Sequence, residues 1–170
     1  LPYFNGEASY PPPDPSVGGG MMAAMSRFFP NKPVDVSRWV LPLPSDGSVP
    51  VLPGWRAIHT PGHTRGHISL WRETDRTLVA GDAFITTTQE SAYAVMTQRP
   101  ELHGPPQYFT PDWSAAKSSV RRLAELRPEF VVTGHGPALM GAEMRAALEK
   151  LARNFDEIAV PEQGRYVPER

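Results

Sequence analysis

Three of the five histidines in this chain fall within one stretch, His59-Thr60-Pro61-Gly62-His63-Thr64-Arg65-Gly66-His67, whose glycines and proline turn the backbone sharply. Two shorter segments follow the same grammar. Leu78-Val79-Ala80 runs into Gly81-Asp82, and Phe130-Val131-Val132 runs through Thr133 into Gly134-His135-Gly136. Each sets one ligand-type side chain just beyond an apolar run. Neutral imidazole and carboxylate suit zinc, iron or manganese in a hydrolytic or oxidative site. The chain has no cysteine, so any metal must be held by histidines and carboxylates, and no thiol can serve as nucleophile. His63, Asp82 and His135 are the candidate metal ligands. His59 and His67 read as hydrogen-bonded histidines flanking the turn, able to orient a ligand from behind, and His103 reads as a surface loop residue.

Side chains so far apart in sequence meet only if a sheet brings strand ends together. Alternating apolar residues predict strands at Arg38 to Leu43, Trp55 to His59, His67 to Arg72, Thr77 to Ala80 and Glu129 to Thr133, with a turn at Ser45 to Ser48. A helix is expected from Thr110 as N-cap with Pro111 in the first position, carrying Trp113, Ala116, Val120, Leu123 and Ala124 on one face and ending before Pro128. A second, about Gly141 to Phe155, presents Met144, Ala147, Leu148, Leu151 and Phe155. The Tyr108-to-Trp113 aromatic cluster reads as packing at the helix start, and Phe84 to Tyr108 as an irregular loop beside the site.

Domain organisation follows from composition. The 170 residues suffice for one domain or half-domain with a real core. Twenty prolines concentrate in the first third and in loops, so residues 1–37 are expected to form an extended Pro/Gly-rich arm with a short helix at Met21 to Phe29. Residues 38–155 carry the sheet and helices, and 156–170 read as a loose tail. With 17 Lys and Arg against 18 Asp and Glu, the net charge of -1 gives no case for nucleic acid or an anionic membrane. No apolar run reaches the roughly 18 residues of a membrane span. The absence of cysteine and of a basic leader goes with the expectation of a cytoplasmic protein, and the expected partner is a small-molecule substrate.

The order Thr60-Pro61-Gly62-His63-Thr64 with Gly66-His67, then Leu78-Val79-Ala80-Gly81-Asp82, then Val131-Val132-Thr133-Gly134-His135-Gly136, resembles the later motifs of the metallo-beta-lactamase superfamily. The resemblance covers roughly Gly47 to Phe155. It implies an α/β fold, the αββα metallo-beta-lactamase-like sandwich, of which this chain would be the C-terminal half with a mixed sheet and flanking helices. By position, it makes His63 a ligand of a first metal, Asp82 a bridge and His135 a ligand of a second. Zinc is the metal most expected, in one or two ions; iron or manganese are the alternatives. The implied activity is hydrolysis of an ester, lactone, thioester, amide or phosphodiester by a metal-activated hydroxide. An iron-dependent oxidative member is a further alternative.

The superfamily's first metal motif, His-x-His-x-Asp-His, does not occur in these residues. With the missing initiator methionine, that leads to the expectation of a C-terminal half whose ligand set is incomplete and whose site can be empty. A half sandwich leaves one sheet face bare. The missing N-terminal half, or a second copy of the chain, is expected to cover it; failing that, the chain would be a catalytically incomplete module serving in binding or assembly.

Overall fold

A computed structural model describes residues 3–17, 25–28, 33–87 and 101–168. Five strands form one mixed sheet in sequence order: β1 (Trp55–His59), β2 (Ile68–Arg72), β3 (Thr77–Gly81), β4 (Phe130–Thr133) and β5 (Leu139–Met140). All neighbours are antiparallel except β3 and β4. A parallel pair cannot be joined by a tight turn. Accordingly, the connection from β3 to β4 carries helix α1 (Trp113–Glu125). Helix α2 (Gly141–Arg153) follows β5, and a short α3 (Phe155–Ile158) continues it after a break at Asn154. This is the α/β class expected, and β5 is the one strand that the sequence pattern did not indicate.

Alternation along the strands sorts the sheet into two faces. Ile58, Trp71, Leu78, Ala80 and Val131 are buried against Ala116, Val120 and Leu123 of α1 and Met144, Leu148 and Leu151 of α2 in a single core. Each such Leu or Val is worth about 1.5–3 kcal/mol in area removed from water. The opposite face is apolar too, yet nothing among the described residues buries it. Ala57, Leu70, Val79 and Val132 stand in register across four strands. Beside them lie Ile68, Phe130 and Met140, with Val132 42%, Phe130 43% and Met140 63% exposed.

Several expectations need correction. No strand forms over Arg38 to Leu43: Asp35 Oδ1 accepts the Ser37 N–H at 3.0 Å and starts a 3-10 turn at Ser37–Trp39. Beyond it, Pro42 and Pro44 remove ladder donors, and the segment runs unpaired. The N-cap of α1 is Asp112, whose Oδ1 accepts the Ala115 N–H at 2.9 Å. Thr110 is buried and donates instead to Pro106 O at 2.8 Å. Of the helix expected at Met21 to Phe29, Met21 to Ala24 and Phe29 lie outside the described residues, and Ser26–Phe28 form a 3-10 turn. Residues 88–100 of the expected loop also lie outside.

The extended arm and the tail are docked on each other, in contrast to the loose tail expected. Asp14, 1% exposed, takes the N–H of Ser16 at 3.0 Å and the N–H of Arg165, and its own N–H donates to Tyr108 O at 2.8 Å. Tyr166 donates its hydroxyl to Pro12 O at 2.9 Å, and Gln163 Nε2 donates to Ser16 O at 3.1 Å. A carboxylate satisfied by backbone donors from two remote segments is the physical reason that both segments are ordered.

Candidate metal centre

The sheet ends converge as the motif spacing predicts. Asp82 lies one residue beyond β3, and its carboxylate presents Oδ2 to His63 Nε2 at 3.5 Å and Oδ1 to His135 Nε2 at 3.6 Å. The two imidazoles therefore address different oxygens of one carboxylate. Asp82 Oδ1 and His63 Nδ1 are buried without a hydrogen-bond partner. Burying a polar atom unpaired is costly, and such an atom at a site of this composition calls for a ligand. Burial holds the His63 pKa down to about 4, against the pull of Asp82, with His67 and His135 lowering it further. At neutral pH its ring is uncharged, the form a metal ligand must take.

Each of these three loops is fixed by residues outside the His63–Asp82–His135 cluster. The 60s loop makes its turn at Gly62, φ +138, where a Cβ would lie 2.5 Å from Ala116 of α1. That contact requires glycine. The loop is also fastened by Ser119 Oγ, which donates to Pro61 O at 2.7 Å, and by the His59 ring against Arg65 O at 2.8 Å. The His135 loop hangs on Thr86, fully buried, whose N–H donates to His135 O at 3.0 Å and whose hydroxyl donates to Pro137 O at 2.7 Å.

The Asp82 loop is held by a polar relay around a register shift between Val79 and Gly81. The Asp82 N–H donates to His67 Nε2 at 2.9 Å. His67 Nδ1–H donates in turn to Thr60, 2.9 Å from its hydroxyl and 3.1 Å from its carbonyl. Thr60 Oγ1 lies 3.0 Å from Ser69 Oγ, which donates to Ala80 O at 3.0 Å. All the donors point one way only when His67 is neutral with its proton on Nδ1, a tautomer assigned by this network. Burial lowers the His67 pKa, consistent with that state. Thus His67 spends both ring nitrogens on positioning and is not a ligand. His59 is likewise a turn fastener. His103 faces Glu101 at 3.4 Å and its backbone bridges to Ile85, so it is part-buried and paired in place of the free surface residue expected.

Thr60, Ser69 and Thr86 escaped the sequence reading. Hydroxyls in strands and turns are common, and only their burial distinguishes them.

The donor chemistry suits a metal, but the number of donors falls short. Among the described residues, no group of three or more His, Asp or Glu side chains is arranged to hold one ion.

A cavity of about 370 Å³ opens over His63 and Asp82, walled by Tyr10, Pro11, Pro12, Phe109, Pro111 and Tyr166. The Phe109 ring meets the His63 ring edge-on, 6.3 Å between centroids. The Tyr108-to-Trp113 cluster thus divides: Tyr108 and Trp113 are core, while Phe109 faces the cavity.

A mixed sheet with helices on one face thus carries a carboxylate between two imidazoles at its strand ends. The chain belongs to the metallo-beta-lactamase superfamily, whose family model matches residues 2–135. It is 49% identical over 158 residues to the probable metallo-hydrolase YflN of Bacillus subtilis (strain 168), covering 93% of this chain and 60% of that protein. Probable metallo-hydrolase YybB of the same organism is 30% identical over 81 residues, covering 48% of this chain and 32% of that protein. Among solved structures, a metallo-beta-lactamase family protein of Thermus thermophilus matches with a TM-score of 0.47 at 24% identity, covering 81% of this chain and 42% of that one. The chain therefore spans less than two thirds of the length of these relatives. One further solved neighbour, TTHA1623, 26% identical with a TM-score of 0.47 and covering 82% of this chain and 58% of that one, was solved in a di-iron-bound form.

Proposed function

We propose that the chain is the part of a metal-dependent hydrolase that supplies the bridging carboxylate and one histidine to each of two ions, zinc by preference. The observation that carries this is the Asp82 carboxylate, which turns one oxygen to each imidazole and leaves Oδ1 buried without a hydrogen bond. His63 and Asp82 would hold the first ion, Asp82 and His135 the second. Such ions activate water as a nucleophile at neutral pH and polarise the oxygen of the bond under attack. The chain's own contribution is geometric: His67 fixes the Asp82 backbone and Thr86 fixes the His135 loop. Its relation to a probable metallo-hydrolase supports hydrolysis as the reaction. The remaining ligands would come from a further part of the same domain that also covers the bare sheet face. A second copy of the chain is the alternative cover, and a cytoplasmic, cysteine-free setting fits the same reading.

Metal analysis tests this. The chain by itself is expected to retain less than one ion, and the full-length protein to hold metal that EDTA removes together with its hydrolytic activity. Asp82→Asn should lower the metal content of the full-length protein. Stoichiometric, EDTA-sensitive metal on the chain alone would sink the idea of a divided ligand set, and EDTA-resistant hydrolysis would sink metal dependence.

A further inference from the structure

We propose that the cavity above His63 and Asp82 binds a small neutral substrate by an apolar acyl or alkyl group, gripped between Tyr10, Phe109 and Tyr166. The inference rests on the hydrolase reading and narrows its substrate class. Around a polar floor of His63, Thr64, His67 and Asp82, the cavity is lined by three aromatic residues and three prolines, and among the described residues it contains no lysine or arginine. The adjoining cavity, which shares Pro11, Pro111 and Tyr166, carries the nearby cation, Arg65. A carboxylate or phosphodiester remote from the reacting bond would be desolvated here without a partner, facing the Asp82 carboxylate. An alkyl or aryl group loses only unfavourable contact with water.

The wall is also stiff. Rings and prolines sacrifice little rotamer freedom on binding. Its three segments are remote in sequence but tied to one another, Tyr166 to Pro12 through its hydroxyl and Asp14 to Tyr108 through the backbone. About 370 Å³ lies near the lower end of the roughly 300–1,000 Å³ of small-molecule sites, so the ligand is compact. In hydrolysis of such an ester, the water oxygen bonds to the acyl carbon and the acyl–oxygen bond breaks. One water proton goes to the departing alkoxide and the other is released as the acid ionises.

Saturation-transfer NMR on the metal-stripped full-length protein tests binding apart from catalysis, with ethyl phenylacetate as neutral probe and phenylacetate and bis(4-nitrophenyl) phosphate as anionic ones. The ester should bind, and Tyr10→Ala and Tyr166→Ala should each weaken it by roughly tenfold, the loss of one aromatic contact. Tyr10→Phe keeps the ring and should bind like the parent, which separates wall contact from misfolding, whereas Tyr166→Phe also loses the hydrogen bond to Pro12 O and should bind between the parent and Tyr166→Ala. Equal or tighter binding of either anion, no binding of the ester, or indifference to both alanine variants would overturn the proposal. A hydrolysis panel on the metal-loaded protein separates the two levels. Metal-dependent cleavage that prefers the phosphodiester overturns the substrate class and leaves the hydrolase reading intact. Failure to cleave any ester, lactone, thioester, amide or phosphodiester of the panel overturns the hydrolase reading while the NMR result still stands.

Discussion

His63 combines deep burial with a carboxylate neighbour, and the two influences oppose each other. Burial wins, so its pKa falls from the ordinary 6.5 to about 4. Between those values the unfolded chain binds a proton at this position that the native chain does not. Stability from this group is therefore complete above about pH 6.5 and falls as pH drops toward 4. Histidine NMR of the metal-free chain should show one ring titrating near 4, and a ring titrating at the ordinary value would contradict the burial. His67 acts through geometry. In His67→Ala the Asp82 N–H and the Thr60 hydroxyl lose their shared partner, at a cost of about 1–3 kcal/mol. Metal affinity of the full-length protein should drop about 10–100-fold, as for other partners that orient a ligand. Denaturant titration and metal titration check the two effects separately; unchanged affinity would reduce His67 to a packing residue.

At the scale of elements, the sheet delivers the ligands and the chain ends shape what lies above them. Asp14 is the joint between arm, tail and the turn Gln107–Phe109. Burial pushes its pKa up, but donors from Ser16 and Arg165 outweigh that and hold it below the usual carboxylate value. Its stabilisation is thus present above that usual value and is lost as pH falls through the lowered one. Asp14→Ala leaves these donors unmatched and should cost about 1–3 kcal/mol. Limited proteolysis should then cut within residues 3–17 far faster than in the parent, while strand amides of β2 and β3 keep their exchange protection. Equal cleavage of variant and parent would show that the arm is held by other contacts.

The whole molecule has one finished face and one unfinished. Helices bury the first, whereas Val132, Phe130 and Met140 leave the second exposed beside the Ala57–Leu70–Val79–Val132 row. Contiguous apolar surface of this kind drives association. The chain in isolation is expected to bind ANS and to self-associate in sedimentation velocity. Val132→Lys should reduce both while changing stability by no more than about 0.5 kcal/mol, as for other exposed positions. A monodisperse chain that ignores ANS would mean that the face is covered from within. No helix among the described residues is long and apolar enough to cross a membrane.

The convergence of the His63, Asp82 and His135 loops, β1 to β4 and both long helices were legible in the sequence, because turn residues and hydrophobic period are local signals. His63, Asp82 and His135 announced themselves by residue type at strand ends. Three things were decided only in three dimensions. The relay through Thr60 and Ser69 depends on which hydroxyls are buried together, and periodicity does not encode that. Capping by Asp112 in place of Thr110 depends on Thr110 being spent on Pro106. The arm read as extended and the tail as loose because proline and polar residues carry no burial pattern, yet a single buried carboxylate draws them into the cavity wall. Local composition sets which groups can do chemistry; long-range hydrogen bonds and burial set what those groups face.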